Sequence, residues 1–319
     1  MTKVKNNLKA ISLFAGIGGI CQGFMHNDVE IVFANDFDKY ACQTYRENFK
    51  HGIIEKSIED VTLEEVPDAE LVIFGFPCTS FSIAGYRKGF EDERSGNLFF
   101  EALRIIKGKK PKAFFLENVK NLVSHDNGKT FEIIKDSLES LGYHLKYQVM
   151  NSMEYGNVPQ NRERIYVVGF LNEESFNKFK FPDPIERTKD IKDITKPYEK
   201  KDEKYYYEKS KYYPMLKESV VNKDTVYQLR RIYVRENKSN VSPTLTANMG
   251  TGGHNVPLIL DDYGIRKLTP RECLLLQGFP NDFKIPEKMS NGQIYKQAGN
   301  SVTVTVIERI AKNMIEAMK

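Results

Sequence analysis

The chain has 319 residues, of which 40% are hydrophobic and 12% aromatic, and this composition excludes a disordered or collagen-like protein. The length suits one large domain or two ordinary ones. A formal net charge of +4 by itself indicates no polyanionic partner. The four cysteines lack the spacing of a zinc site or a disulfide framework, and no signal peptide or membrane-spanning run is seen. We therefore expect a soluble, cytoplasmic protein with reduced thiols and no bound metal.

Short apolar strands alternate with amphipathic helices over the first 170 residues. This alternation predicts an α/β fold, a doubly wound and mostly parallel sheet with helices on both faces. The predicted strands are 8–14, 30–35, 71–74, 113–116, 143–150 and 165–170, and the predicted helices are 20–24, 38–49, 98–106 and 130–141.

The pattern dissolves after residue 171 into charged sequence interrupted by prolines, and helical periodicity returns at 269–276 and 301–318. Between residues 178 and 238 there are 17 Lys and Arg against 11 Asp and Glu, together with eight of the 17 tyrosines. A basic, aromatic-rich segment is typical of a module that contacts a polyanion. A solvated, variable insertion is an equally good interpretation of the charge pattern alone.

A glycine-rich turn, FAGIGG at 14–19, follows the first predicted strand. Glycines such as Gly16 and Gly18 let a backbone approach a ligand closely at a strand-to-helix turn. Asp36 ends the second strand, 20 residues beyond Gly16, where an acid can bind ribose hydroxyls. The nicotinamide fingerprint is broken because Cys21 replaces its last glycine. The pattern indicates a nucleoside-containing cofactor, the alternative being a simple tight turn with a solvent-facing acid.

Cys78 follows the third strand in the sequence GFPC, so its thiol is expected in the crevice where such folds bind ligands. The polar, glycine-containing segment 80–96 that comes next is typical of an active-site lid. A cysteine is otherwise most often a small buried hydrophobic residue. That interpretation fits the other three, which are Cys21, Cys42 and Cys273.

Charged residues follow the next predicted strands. Glu117 comes directly after the fourth strand and is a candidate general acid or base, the alternative being a surface or capping acid. Arg162 and Arg164 are two residues apart, and on an extended segment they project to the same side. They are candidates to face a substrate or a phosphate, although a surface charge strip has the same pattern.

Together these motifs resemble the DNA (cytosine-5)-methyltransferases of the bacterial restriction–modification type. The matching pieces run in the family's order and leave only the middle of the chain unmatched, where the family places its variable target-recognition region. They are FAGIGG at 14–19, Asp36, GFPC at 75–78, ENV at 117–119, QNRER at 160–164, RKLTPREC at 266–273 and QAGNSV at 297–302.

The resemblance implies S-adenosylmethionine as cofactor and S-adenosylhomocysteine as product. In it Phe14 stacks on the adenine and Asp36 holds the ribose. Two departures stand out: Ser57-Ile58 occupies the place where many relatives have an aspartate, and Thr79 replaces the usual glutamine. The implied cofactor-binding residues are Phe14, Gly16, Gly18, Asp36, Phe37, Ile58, Pro77, Leu98, Asn300 and Val302.

The resemblance also implies the catalytic roles. Cys78 is the nucleophile that adds to C6 of a flipped-out cytosine, and Glu117 holds and protonates its N3. Arg164 steadies the ring from its O2 side, and Arg162 is the further candidate.

The implied organisation is a catalytic domain, 1–174 plus 293–319, interrupted by a recognition domain at 175–292, with the last helix returning to the catalytic domain. The substrate is duplex DNA with a short specific site, and the enzyme is expected to be a bacterial or phage monomer, with a companion restriction endonuclease and no membrane association. The DNA contacts are expected from the lid and from 241–257, at Ser82, Arg94, Thr244, Thr246, Thr251 and Gly252.

Two other functions remain open at this point: a related enzyme that modifies tRNA, and a DNA-binding regulator whose enzyme scaffold has lost activity. The long basic insert favours duplex DNA over tRNA. The presence of Cys78, Glu117 and Arg164 together favours an enzyme over a regulator.

Overall fold

A computed structural model describes residues 8–77, 98–230, 232–237, 240–250 and 255–319. The chain forms two compact units. The first takes in Met1–Met150, Glu163–Pro182 and Ile307–Lys319, and the second takes in Asn151–Arg162 and Asp183–Val306.

The strands and helices are numbered in chain order. The strands are β1 (Lys9–Leu13), β2 (Glu30–Asp36), β3 (Ile54–Glu55), β4 (Leu71–Phe74), β5 (Ala113–Val119), β6 (His144–Asn151), β7 (Gln160–Asn161), β8 (Glu163–Phe170), β9 (Val226–Arg230), β10 (Tyr233–Asn237), β11 (Ser242–Pro243), β12 (Leu258–Leu260) and β13 (Ile265–Lys267). The α-helices are α1 (Gly19–Met25), α2 (Lys39–Asn48), α3 (Leu98–Lys109), α4 (Lys129–Glu139), α5 (Ser152–Tyr155), α6 (Glu173–Lys178), α7 (Ile191–Thr195), α8 (Tyr213–Ser219), α9 (Pro270–Leu276), α10 (Asn291–Asn300) and α11 (Val304–Ala317).

A seven-stranded sheet with the order β3-β2-β1-β4-β5-β8-β6 forms the centre of the first unit. The first five strands pair in parallel, and β8 runs antiparallel to β5. The predicted doubly wound, mostly parallel fold is confirmed. The order reverses at β1, with β2 on one side and β4 on the other, so a ligand crevice is expected beyond the carboxyl ends of β1 and β4.

The central strands are buried because helices cover a parallel sheet on both faces. All four residues of β4 are buried, and β1 is buried after its first residue. The apolar side of α3 packs into the same core, which fixes where the adjoining loops begin. The residues of this core include Ile11, Leu13, Val72, Phe74, Phe99, Leu103, Ile106, Phe114 and Leu116.

The second unit contains a four-stranded sheet, β10-β9-β12-β13, and a small parallel pair between β7 and β11. In the four-stranded sheet, each strand runs antiparallel to its neighbours. A small apolar core supports this sheet, formed by Tyr207, Leu216, Val220, Tyr227, Leu229, Leu258 and Ile265. The resemblance implies a smaller, mostly irregular and β recognition domain in this region, and the sequence pattern located none of these strands.

Within the described residues, no helix is both long and apolar enough to cross a membrane. The same residues contain no cluster of three or more His, Cys, Asp or Glu side chains able to hold a metal ion.

Candidate active site

The turn after β1 has a backbone that few residue types adopt. Phe14 has a φ of +53°, which is uncommon for a bulky side chain, and Gly16 and Gly18 have φ values of +56° and +88°. A Cβ atom at Gly18 would lie 2.2 Å from a ring carbon of Phe49, so only glycine fits there. Strain of this kind persists where the surrounding structure enforces it, most often at ligand sites.

Asp36 lies beside this turn at the end of β2. Its carboxylate accepts hydrogen bonds from the backbone N–H of Gly16 at 2.7 Å and of Asp38 at 2.8 Å. Burial raises the pKa of Asp36, and these two N–H groups oppose that rise. The next side chain, Phe37, is 68% exposed although it is aromatic. The turn therefore has an acid and an uncovered ring beside it, as a nucleoside site requires.

Buried polar side chains from α1 and α2 form a series of hydrogen bonds that supports the glycine turn. No sequence motif indicated these bonds. The Cys21 thiol donates to Ser12 Oγ at 3.1 Å, and the Tyr45 hydroxyl donates to Cys21 Sγ at 3.3 Å. Burial raises the pKa of the Cys21 thiol, so this cysteine is protonated and unreactive, as predicted for a buried residue. The spacing of Cys21 and Tyr45 in separate helices gave no local signal of their contact.

Glu117 and Arg164 form an ion pair between the neighbouring strands β5 and β8. Arg164 Nε lies 3.2 Å from Glu117 Oε1, and the two side chains are only 13% and 11% exposed. The antiparallel register opposes Val119 to Arg164, which brings the guanidinium to the carboxyl end of β5. Glu117 is therefore a buried acid beside a cation, at the edge where the ligand crevice is expected.

The segment after β4 passes close to the same carboxylate. A Cβ atom at Gly75 would lie 3.1 Å from Glu117 Oε2, so the strand end passes close to this acid. The Asn118 side-chain amide donates to the Phe76 carbonyl at 2.9 Å. Cys78 itself lies outside the described residues, as do Ser82, Arg94 and the predicted lid 80–96.

The remaining predicted cofactor residues of the first unit have different surroundings. Ile58 is 3% exposed and belongs to the apolar core of the first unit. Pro77 is exposed at the end of the segment after β4, and Leu98 begins α3 and is half-buried. Their predicted roles in cofactor binding stay predictions.

In the second unit, Asn300 is exposed at the end of α10, and Val302 is 6% exposed. Thr246 is exposed and follows a half-buried Thr244, whose hydroxyl donates to the Asn161 carbonyl at 2.7 Å. The predicted DNA contacts Thr251 and Gly252 fall outside the described residues.

Arg162 has different partners from Arg164. Its side chain is buried, and its guanidinium donates to the backbone carbonyls of Leu245, Gly299 and Ser301. The residue lies between β7 and β8 and outside both, so the alternation of an extended strand does not govern its direction. The expectation that the two arginines face one substrate rested on that alternation, and a catalytic role for Arg162 stays a prediction.

This fold, with an acid-and-arginine pair beside the end of β4, is that of a C5-type methyltransferase. The C-5 cytosine-specific DNA methylase family model matches residues 8–316, and the chain belongs to that family. The predicted enzyme class, DNA (cytosine-5)-methyltransferase, is confirmed.

Relatives match over nearly the full length. The type II methyltransferase M.Bsp6I of Bacillus sp. (strain RFL6) is 57% identical over 314 residues, covering 98% of this chain and 99% of the relative. The type II methyltransferase M.SsoII of Shigella sonnei is 43% identical, covering 97% of this chain and 80% of the relative. A solved structure of a Spodoptera frugiperda DNMT2 mutant shares the fold, with a TM-score of 0.75, 20% identity, and coverage of 97% of this chain and 99% of that chain.

Proposed function

We propose that the protein transfers the methyl group of S-adenosylmethionine to C5 of a cytosine flipped out of a short specific sequence in duplex DNA. The observation that carries the proposal is the Glu117–Arg164 ion pair, which lies against Gly75, three residues before Cys78. Membership of the cytosine-5 methylase family supplies the reaction class.

The residues around the glycine turn fit a nucleoside-containing cofactor. Asp36 is a carboxylate that ribose hydroxyls can reach at the end of β2, and Phe37 offers an exposed apolar ring. Phe14 holds a strained backbone that a bound ligand would justify. When bound, S-adenosylmethionine supplies an electrophilic methyl group on its sulfonium sulfur.

Cys78 begins the chemistry, because cytosine C5 is too weak a nucleophile to take a methyl group directly. Its thiolate adds to C6 while Glu117 donates a proton to N3, and the ring becomes an enamine whose C5 takes the methyl group. A base then removes the proton from C5, the C6–S bond breaks, and N3 returns its proton to Glu117 as the thiolate and the methylated cytosine are released. A thiol is only a few per cent ionised at pH 7, so the site must favour the thiolate.

Arg164 orients Glu117 for this proton transfer, because its Nε lies 3.2 Å from Glu117 Oε1. Proton transfer by a positioned side chain contributes about 10²- to 10⁴-fold to a rate. In the proposal Arg164 contacts the cytosine from its O2 side as well as the carboxylate. Arg164 contacts Glu117 and the Glu163 carbonyl, and a guanidinium has five N–H donors, so it can serve the carboxylate and the base together.

The base must leave the helix, because C6 is inaccessible inside a duplex. Unstacking and unpairing cost a few kcal/mol, which contacts in the pocket and to the backbone offset. We propose that the predicted lid 80–96 and the recognition domain 175–292 make these contacts. The predicted contacts of the recognition domain are Thr244, Thr246, Thr251 and Gly252.

The hairpin of β9 and β10 supports a DNA-facing role for the second unit. Near its turn Ile232 is 87% exposed and Tyr233 is 56% exposed, and the exposed Arg230 and Arg235 lie on its two strands. Several lysines elsewhere in the basic segment pair with carboxylates, as Lys192 does with Asp224. The hairpin arginines are therefore better candidates for phosphate contacts than the bulk of the lysines.

Methylation of a short site would protect host DNA from a companion endonuclease, in keeping with the type II methyltransferases to which the chain is similar. Bisulfite sequencing of DNA from cells that express the protein would map the methylated cytosine and its surrounding site. Methylated cytosines in a single sequence context support the proposal. Unmodified DNA in cells that contain the folded protein contradicts it.

A covalent trap tests the mechanism. A duplex with 5-fluorocytosine at the mapped position should give a protein–DNA adduct that survives denaturation, because fluorine cannot leave as the C5 proton does. Cys78→Ser should abolish the adduct, and the matched control Cys42→Ser, a buried thiol, should keep it. Radiolabelled cofactor with tRNA serves as the second arm: label in tRNA and none in DNA would contradict the proposal.

A further inference from the structure

The guanidinium of Arg162 joins two segments of the second unit that are far apart in sequence. Nη1 donates to the Leu245 carbonyl at 2.9 Å, and Nη2 donates to the carbonyls of Gly299 at 3.3 Å and Ser301 at 2.5 Å. Arg162 is only 2% exposed. Hydrogen bonds to a buried charged group are stronger than those between neutral groups, so this contact holds both segments firmly.

Two glutamines hold the same segments from the other side. The Leu245 N–H donates to Gln160 Oε1 at 3.1 Å, so both peptide groups of Leu245 are bound. Gln160 Nε2 donates to Gln277 Oε1 at 3.1 Å, and Gln277 Nε2 donates to the Ala298 carbonyl at 2.7 Å. These buried amides extend the connection between the two segments into a network, and such networks favour one arrangement.

Gly299 brings the two backbones into direct contact. A Cβ atom there would lie 2.2 Å from the carbonyl carbon and oxygen of Thr246 and 2.5 Å from the Ala247 nitrogen. No side chain larger than hydrogen fits without moving the backbone. A shift of residues 245–247 must therefore move 298–301 as well.

The residue that follows each anchored position is a predicted ligand contact. Thr246 follows Leu245 and is exposed, as a DNA contact must be. Asn300 follows Gly299, is exposed, and is predicted to reach the cofactor. We infer that Arg162 is a positioning residue that couples DNA binding at Thr246 to cofactor binding at Asn300, a role that rests on the proposed function of those two positions.

The coupling is reciprocal. A cofactor that orders 298–301 presets 245–246 for DNA, and DNA presets Asn300 for the cofactor by the same factor. Coupling between two sites typically changes an affinity about 5- to 150-fold.

The test measures the affinity of a duplex carrying the bisulfite-mapped site, with and without saturating S-adenosylhomocysteine, which cannot react. We expect S-adenosylhomocysteine to tighten duplex binding by the wild-type protein within the range of about 5- to 150-fold. Arg162→Lys keeps the charge and loses the planar fork, so the ratio of the two affinities should fall towards one.

Gly299→Ala disturbs the same connection from α10 and should also lower the ratio. Arg187→Lys is the control, since Arg187 pairs with Asp190 at the surface of the same unit. Circular dichroism and melting identify any variant that fails to fold, and a purely structural loss would lower the active fraction while leaving the ratio intact.

A ratio of one in the wild type, or an unchanged ratio in both Arg162→Lys and Gly299→Ala, would overturn the inference. A slower methyl transfer with an unchanged ratio would overturn it too, because that is the behaviour of a residue touching the base. Failure of the wild type to methylate any DNA would instead overturn the proposed function.

Discussion

Each unit contains an arginine that pairs with at least one carboxylate, and the two arrangements differ. In the second unit Arg266 directs Nε to Asp261 at 2.6 Å and its two terminal nitrogens to Glu272 at 2.9 and 2.8 Å, with all three side chains at most 4% exposed. In the first unit Arg164 meets Glu117 at 3.2 Å, and both side chains keep more than a tenth of their surface exposed.

The hydrogen bonds of Arg266 explain the difference. Arg266 also donates to the carbonyls of Thr195 and Lys267, so its five contacts match the five N–H donors of an arginine. Such a group stabilises a fold and has no donor left for a ligand. Arg164 lies at a strand end with part of its side chain exposed, where it can contact a base as well as the carboxylate, as the proposal asks.

The largest effect expected from this comparison is on catalysis. Glu117→Gln keeps the shape of the side chain and removes the proton donor, so methyl transfer should slow by about 10²- to 10⁴-fold. Single-turnover transfer of a labelled methyl group to duplex DNA measures this, with the melting temperature as the check on folding.

Glu163→Gln is the matched control, because Glu163 is a neighbouring carboxylate that pairs with Lys120 at the surface. We expect it to retain the wild-type rate. Equal rates for Glu117→Gln and Glu163→Gln would remove Glu117 from the mechanism.

The second unit should respond in stability. Arg266→Met leaves Asp261 and Glu272 buried without their cation, and removing one partner of a buried pair costs about 3–5 kcal/mol in the free energy of unfolding. Urea unfolding measures the loss, and Arg187→Met at the surface should cost about 1 kcal/mol or less. A similar loss in both variants would contradict the interpretation of Arg266 as a structural centre.

The first unit was largely predictable because parallel strands make their own local signal. The run LVIF of β4 was predicted with its exact bounds, and β1 differed by one residue at each end. Buried strands in such sheets are short apolar runs, and the residues that follow them meet at one edge of the sheet. The proximity of Gly75 and Glu117 follows from that rule, since β4 and β5 are neighbours.

The second unit was less predictable because distant contacts determine it. Helix α10, NGQIYKQAGN, has few apolar residues and contains Gly299, which reads locally as a helix breaker. Its glycine is required by the backbone of Thr246, more than 50 residues away in sequence. The partners of Arg162 are also remote, so no local pattern indicated them.

Asp36 offers a smaller and graded test of the comparison between the two arginine sites. Its carboxylate accepts hydrogen bonds from the peptide N–H groups of Gly16 and Asp38, as a structural acid does, and it is also proposed to bind a ligand. Burial raises its pKa, so it becomes protonated at a higher pH than an ordinary aspartate, whose pKa is about 3.9. The protonated form has lost acceptor capacity for a ribose hydroxyl. Affinity for S-adenosylhomocysteine should therefore fall as the pH drops through this raised pKa, by about tenfold per pH unit at its steepest.

Calorimetric titration of S-adenosylhomocysteine at a series of pH values below neutrality measures that fall. Asp36→Asn should bind more weakly at neutral pH and lose the dependence, because an amide does not titrate in this range. Glu55→Gln is the control: Glu55 opposes Asp36 across β2 and β3 but pairs with Arg46 in solvent, so its loss should leave the profile unchanged. If Asp36→Asn retains the wild-type profile, another group titrates, and the Asp36 carboxylate would then serve the fold, as Arg266 does.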